Sequence, residues 1–422
     1  MAYTTTTDSS GHITLTGTSG ADQATSAGTN SKKFKANTFD GLDTLTVDAT
    51  VSSGSIGMGG AVDALTISAA ATKLDITLGA GADTFAASAV ATKLTVGGGG
   101  GADTFTFTAA ATTSIFKGGQ GADKFVNTTA DMGDKITIVG GSENDVVGTS
   151  SARFQTGTNA FINGQVGADS IFLDGTAGMT VHGGSEADTI NNSTDVNSCL
   201  LSGDKGADTI VDGAGDNTIK GGGGADTITA GLGVDSITGG LGKDDFVVND
   251  IVVGAAALQV NDILDFTAAD DQVGNFSVSD LETLTILTNL EAAGQATSDI
   301  AAGTTASITK VTGAYDLGTA GTGNMLALGS STAFTTTTLV TALETGGSLA
   351  LTANGAFAAA DGFIVFYDDN IDSYAALVTV ASGGSFADNT TSTDLAVTNL
   401  VKFDNFSDAT AITSSQMLAF TA

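Results

Sequence analysis

Between Ser202 and Val247 the chain repeats every nine residues, and each unit carries oxygen ligands at fixed offsets: Gly203 to Ile210, Asp212 to Ile219, Gly221 to Ile228, Ala230 to Ile237 and Gly239 to Phe246. A run such as Gly221-Gly222-Gly223-Gly224 can turn tightly and aim its carbonyl oxygens inward, because glycine adopts backbone conformations that a Cβ forbids. Asp226, two residues after the last glycine, adds a carboxylate, and Asp244 stands in the same relation to Gly240 and Gly242. The candidate metal ligands of this segment are therefore Asp208, Asn217, Asp226, Asp235 and Asp244, with Gly222, Gly224, Gly240 and Gly242. A loop one coil away would complete a shell of about 6 to 8 oxygens at about 2.3 to 2.6 Å, which is what calcium prefers. Magnesium demands a smaller octahedron with retained waters, and zinc or copper would want His or Cys, of which the chain has His12, His182 and Cys199 alone. Glycine turn, carboxylate and short apolar strand in tandem predict a parallel β-roll that winds around several calcium ions.

The elements that must hold these turns are legible upstream. Asp43, Asp63, Asp83, Asp103 and Asp123 are each twenty residues apart, one aspartate for each full coil, and Gly99, Gly101, Gly119 and Gly121 precede the last two. Two residues after each aspartate comes Leu45, Leu65, Phe85, Phe105 or Phe125; thirteen after comes Ile56, Ile76, Val96, Phe116 or Ile136. Stacked coils would bury these two apolar columns as one continuous core that no single coil could form. Glycine-aspartate turns occupy one edge only, the other reading Ala69-Ala70-Ala71-Thr72-Lys73 and its equivalents. One calcium column is expected in the N-terminal half and two from about residue 200. Asp145, Asp169 and Asp188 follow at intervals of 22, 24 and 19, with Glu143 and Glu186 in place of a glycine. Longer coils should extrude loops there, and the segment from Ser150 to Asn163, with the chain's one arginine, Arg153, is a candidate for a binding role.

Composition narrows the function. Against 46 acidic residues stand 14 basic ones, a net charge of -32. Divalent cations would relieve that self-repulsion, so folding should be coupled to calcium and suited to export into a calcium-rich medium. No basic stripe exists to neutralise nucleic-acid phosphates, so nucleic acid is excluded as a partner. Lys32-Lys33-Phe34-Lys35 is the local exception; it reads as a solvated turn or as a contact for an anionic cell-surface glycolipid. The 422 residues include 58 glycines and no proline, which suits backbone ladders that need every amide donor. A lone Cys199 forms no internal disulfide, so metal and stacking must supply extracellular stability. No stretch is long enough to span a membrane, and Met1-Ala2-Tyr3-Thr4 opens no basic-then-apolar leader, so export is expected without a cleaved N-terminal signal.

Residues from about 17 to 247 resemble the RTX repeat family, whose nonapeptides read Gly-Gly-x-Gly-x-Asp-x-apolar-x. Gly118-Gly119-Gln120-Gly121-Ala122-Asp123, Gly221 to Asp226 and Gly239-Gly240-Leu241-Gly242-Lys243-Asp244 match that form fully. The resemblance implies calcium in the loops and passage out of a Gram-negative bacterium through a type I exporter that reads an uncleaved C-terminal signal. Asn217 departs from the pattern at the aspartate, and Asp212 and Ala230 at the first glycine; sites using Asn217 should bind more weakly.

Residues 251–422 differ in texture from residues 1–250, and the expected organisation is a calcium-binding roll followed by a β-rich capping or assembly domain. Strands are expected at Asp361 to Asp369 and Ala375 to Val380, a short helix near Leu281 to Ala293, and an export-signal-like end at Leu400 to Phe406 and Ile412 to Phe420. No catalytic unit is found. His12 and His182 form no His-Glu-x-x-His helix, and Gly140-Gly141-Ser142-Glu143-Asn144 lacks the closing glycine of a nucleophile elbow. A chain spent on a roll and a terminal β domain resembles secreted surface-layer proteins, which implies calcium-dependent self-assembly of copies into a layer or filament. The alternative is a calcium-dependent adhesin or matrix protein, whose mark would be a flat array of like side chains such as Thr84, Thr104, Thr189, Thr209, Thr218 and Thr227.

Overall fold

The computed structural model describes residues 3–25, 33–127, 131–175 and 178–249, and then 260–266, 271–277, 285–286, 308–311, 315–316, 325–328, 333–343, 349, 351–352, 361–380 and 395–411. The chain divides into two compact units, Met1–Asn217 and Thr218–Ala422.

The first unit is a parallel β-solenoid. Its regular coil carries three strands, for example Thr84–Ala87, Ala91–Thr92 and Thr95–Gly100. Each pairs in parallel register with its equivalents twenty residues before and after: Phe85 lies between Leu65 and Phe105, Ala91 between Ala71 and Ala111, and Val96 between Ile76 and Phe116. Alternation along a strand decides what goes inside. Phe85 and Ala87 are buried while Thr84 is exposed, and the columns led by Leu45 and Ile56 are buried throughout. Aromatics fill the middle, where Phe105 stacks on Phe125 with ring centroids 4.6 Å apart and Phe107 meets Phe116 edge-on at 4.7 Å. At the open end Thr4–Thr7 runs antiparallel to Ile13–Thr16 and covers an edge that would otherwise template pairing with another chain.

One column differs from the sequence expectation. Phe116 pairs with Ile138 rather than Ile136, because the coil ending at Asp145 is longer by two residues and inserts them before the strand Thr137–Ser142. Ile136 is still buried, but its row is that of Ser114, whose carbonyl accepts the Thr137 amide. The extruded loop of the next coil folds back on itself at Thr149 to Ala152, and Arg153 is used inside it. Its guanidinium donates to the carbonyls of Leu173 and Asn191 at 3.1 and 3.0 Å and to the side chains of Asn191 and Ser193 at 2.8 and 2.9 Å. The arginine thus holds the loop to two following coils.

The second unit opens with more parallel coils. Thr218–Gly223 pairs with Ser236–Leu241, which pairs with Asn261–Ile263, and Thr227–Ala230, Asp245–Asn249 and Gln272–Ser277 form the companion ladder. Asn261–Ile263 then pairs with Leu395–Phe403, the outer strand of an antiparallel set with Asp361–Asp368 and Ser373–Val380. A helix, Thr336–Leu343, packs Leu339 and Leu343 against Leu326, Phe363 and Val365. Thr335 and Thr338 cap its start by exchanging amide-to-hydroxyl bonds. The helix expected near Leu281 to Ala293 and the terminal segment Ile412 to Phe420 lie outside the described residues. Among the described residues no helix is long and apolar enough to cross a membrane.

Candidate metal columns

Each regular coil ends in a corner where residues four and two before the aspartate have positive φ: Gly99 and Gly101 at 110° and 115°, Gly119 and Gly121 at 117° and 109°. That conformation suits glycine, and the stacking demands it as well, since a Cβ on Gly99 would collide with the Gly79 carbonyl of the preceding coil. Gly222, Gly224, Gly240 and Gly242 hold the same two places before Asp226 and Asp244, all at positive φ. Glu143 and Glu186 take the second place at 75° and 81°.

The corner delivers a buried carboxylate. Asp43, Asp63, Asp83, Asp103, Asp123, Asp145, Asp169, Asp188 and Asp208 stand in one column, each 1 or 2 % exposed. The backbone amide of every aspartate donates to Oδ1 of the next, at 2.7 to 2.8 Å from Asp43 through Asp188. Asp22, also buried, begins this column with its amide on Asp43 Oδ1. It was legible as Gly20-Ala21-Asp22 but sits one residue off the twenty-residue period. In the second unit the Asp226 amide donates to Asp244 and that of Asp244 to Asp271. A second column on the other edge carries Asp235, whose amide donates to Asn261 Oδ1 at 3.0 Å. Asp271 and Asn261 follow the nonapeptides, where no glycine run marks them.

The other carboxylate oxygen sets the chemistry. From Asp43 to Asp188 every Oδ2 is buried without a hydrogen-bond partner. Among the described residues no lysine, arginine or histidine pairs with these carboxylates. Burial pushes the carboxyls up, with negative neighbours adding to it: Asp63, Asp123 and Asp188 to about 7 and Asp145 to about 8. A buried charge left this way is costly unless a cation answers it.

The space beside Oδ2 is oxygen-lined. A Cβ on Gly98 would collide with the Asp103 carboxylate and stand 2.6 Å from the Gly118 carbonyl oxygen of the next coil; Gly118, Gly140 and Gly164 repeat the arrangement with Asp123, Asp145 and Asp169. In the second unit Gly221 faces Asp226 and the Gly239 carbonyl. These glycines, five before Asp103, Asp123, Asp145, Asp169 and Asp226, hold the first place of the Gly-Gly-x-Gly-x-Asp form, ahead of the candidate ligands Gly99, Gly119 and their equivalents; before Asp43, Asp63 and Asp83 that place holds Thr38, Met58 and Leu78. Among the described residues no three His, Cys, Asp or Glu side chains gather at one point. A cation here would draw most of its shell from backbone oxygens, which fits calcium and not zinc.

Asn217 behaves differently from its neighbours. Its Oδ1 accepts the Cys199 amide at 2.6 Å, while Nδ2 donates to Asp212 Oδ2 at 2.7 Å and to the Gly215 carbonyl at 2.6 Å. An amide donor thus occupies oxygens that a metal would otherwise face. Replacing Asn217 with Asp should set two carboxylates together, lowering the melting temperature in chelator by several degrees and restoring it with calcium; an unchanged melt in chelator would count against the amide's role.

His182, Asp204 and Ser202 do not line up as a hydrolytic relay. His182 Nδ1 lies 2.9 Å from Asp204 Oδ2, but the Ser202 hydroxyl donates to Asp204 rather than to His182. The serine is thus paired with the carboxylate and not with the imidazole.

Stacked parallel coils with one buried carboxylate per turn define a parallel β-roll. Residues 202–237 and 223–248 match the family model of the RTX calcium-binding nonapeptide repeat (4 copies). No curated protein matches the chain.

Proposed function

We propose that this chain is a secreted structural protein that folds on calcium and self-assembles into a surface layer or extracellular filament. One observation carries the reading: a continuous column of buried carboxylates, Asp43 to Asp188, each with an oxygen that lacks a protein partner, which at Asp103, Asp123, Asp145 and Asp169 lies beside a backbone carbonyl of the next coil. In this reading Asp43 through Asp208, Asp226, Asp235 and Asp244 are calcium ligands along with the carbonyls of the turn glycines, and Asn217 marks a weak or closed position. Ordered calcium turns coil-by-coil repulsion into cohesion, so the chain stays unfolded where calcium is scarce and folds after export. The matched repeat supports export through a type I system with a C-terminal signal, and a roll over 1–250 with a β-rich assembly domain over 251–422 is the organisation we infer.

The adhesin alternative draws less support. Its array of like side chains would follow the outward row beside the aspartates, which reads Thr44, Ala64, Thr84, Thr104, Lys124, Val146, Ser170, Thr189, Thr209. Four of the nine places break the run.

Electron microscopy of the purified chain dialysed into millimolar calcium, beside a chelated control followed by circular dichroism, tests the proposal. Sheets or filaments with a strong β signal are expected only with calcium. A calcium-folded but dispersed monomer would overturn self-assembly, and a chelated chain with the same spectrum would overturn calcium-coupled folding.

A further inference from the structure

The edge of the first unit opposite the aspartates carries its own repeating corner. His12, Lys33, Ser53, Lys73, Lys93, Thr113, Lys135 and Asn159 occupy equivalent places on successive coils, tied by amide-to-carbonyl bonds such as Ile13 to Lys33, Gly54 to Lys73 and Lys135 to Thr158. Lys73, Lys93 and Lys135 are exposed and hold φ of 53°, 55° and 57°, the left-handed region that Gly and Asn enter at least cost. At the aspartate corners the chain meets a similar demand mostly with glycine. Here it uses lysine three times, from a total of 14 basic residues in a chain of net charge -32. The backbone does not ask for that choice, so the ammonium groups are the feature to explain.

The lysines are spaced for a linear ligand. With about 4.8 Å between coils, Lys73 and Lys93 are one step apart, and Lys33 to Lys73 and Lys93 to Lys135 are two steps, about 10 Å. All lie within about one screening length of a neighbour at about 0.1 M salt, so they act jointly on a polyanion. The column runs into a groove of about 560 Å³ lined by His12, Thr14, Lys33, Lys35, Ser53, Ser55 and Lys73, with Asp8 and Asp75. Asp8 is committed to the amides of Ser10 and His12 and to His12 Nδ1, which leaves Asp75 as the other carboxylate of the groove against Lys33, Lys35 and Lys73. Lys73 and Lys93 enter no ion pair among the described residues.

We propose that this lysine corner and its groove bind an anionic polysaccharide, laid along the coil axis with its sulfate, phosphate or carboxylate groups against successive ammoniums and its hydroxyls against Thr14, Ser53 and Ser55. Hydroxyl-bearing walls and a one-dimensional array of cations favour a sugar chain over a membrane, which would be met by a flat basic face. The proposal rests on the calcium-folded roll argued above, since only stacked coils align the lysines.

Heparin serves as the sulfated probe and dextran as the neutral one, titrated into the full chain in millimolar calcium with circular dichroism recorded alongside. The wild type should bind heparin with an affinity that falls steeply with salt, and dextran not at all. The triple variant Lys73→Gln, Lys93→Gln, Lys135→Gln should lose about tenfold or more at low salt, whereas Lys117→Gln, Lys124→Gln, Lys220→Gln, equal in charge, should lose less than about twofold. Equal losses in both triples, or no heparin binding by a folded wild type, would overturn the site. Binding of anionic phosphatidylglycerol vesicles without heparin would overturn it in favour of a membrane, and loss of self-association without heparin binding in favour of a second copy. A chain that fails to fold on calcium defeats the earlier reading instead, which the spectra show directly.

Discussion

Replacing Phe105 with Asp should collapse the coils around it even in saturating calcium. The side chain is fully buried, stacks on Phe125 at 4.6 Å and 14°, and meets Phe85 and Phe116 at 6.1 and 6.5 Å. Removing a buried phenyl ring costs about 3 to 5 kcal/mol. The carboxylate then adds a buried charge with no partner, which by itself costs several kcal/mol. Together these approach the roughly 5 to 15 kcal/mol that holds a whole domain. Because coils contact only their neighbours, the damage should centre on residues 85–125 and spread by lost stacking. Limited proteolysis in calcium should cut there in the variant and not in the wild type, while Phe105→Leu, which keeps most of the apolar volume, should remain protected. An intact Phe105→Asp chain with an unchanged melting temperature would mean that the inward assignment of this column is wrong.

How far the sequence anticipates this architecture depends on where periodicity holds. The row of Leu45, Leu65, Phe85, Phe105 and Phe125 is legible because equal spacing forces equal register, and the structure keeps it. Ile136 misleads because fixed-offset counting cannot tell on which side of a coil two extra residues enter; only the pairing of Phe116 with Ile138 shows it. Arg153 looked functional as a rare residue on a long loop, yet its donors end on carbonyls and side chains of later coils, contacts that exist only after stacking. The same is true in part of the glycines facing the carboxylates: Gly98 and Gly118 are legible as the first glycine of a repeat, but the next coil's carbonyl that each faces is not. In the second unit the strands Asp361–Asp368 and Ser373–Val380 are readable as short apolar runs of high β propensity, but their parallel and antiparallel partners are not, because no repeat ties distant segments together.

Asp145 offers the sharpest separation of the two duties of a column aspartate. Its Oδ1 accepts the Asp123 amide at 2.7 Å, while its Oδ2 is buried without a partner beside Gly140 and near the Gly164 carbonyl. Burial, followed by the charges of Asp169, Asp123 and Glu143, pushes this carboxyl up to about 8. A pKa raised in the folded state means that the folded chain holds its proton more tightly. Without calcium, that contribution to stability is complete below the ordinary carboxylate range and is lost as pH rises through about 8. Asp145→Asn keeps the acceptor and removes the charge, so in chelator its melting temperature should fall less with rising pH than that of the wild type. In calcium the order should reverse, the wild type gaining much more than the variant and the variant needing about tenfold more calcium to reach its midpoint, because one anionic ligand is gone. Asp145→Ala should lose on both counts, since the Asp123 amide is then left buried without its acceptor, at about 1 to 3 kcal/mol. If Asn and Ala variants titrate with calcium as the wild type does, the column is a hydrogen-bonded spine and not a metal site; if only Ala melts early in chelator while both lose calcium affinity, a single side chain both stitches coils together and holds the ion.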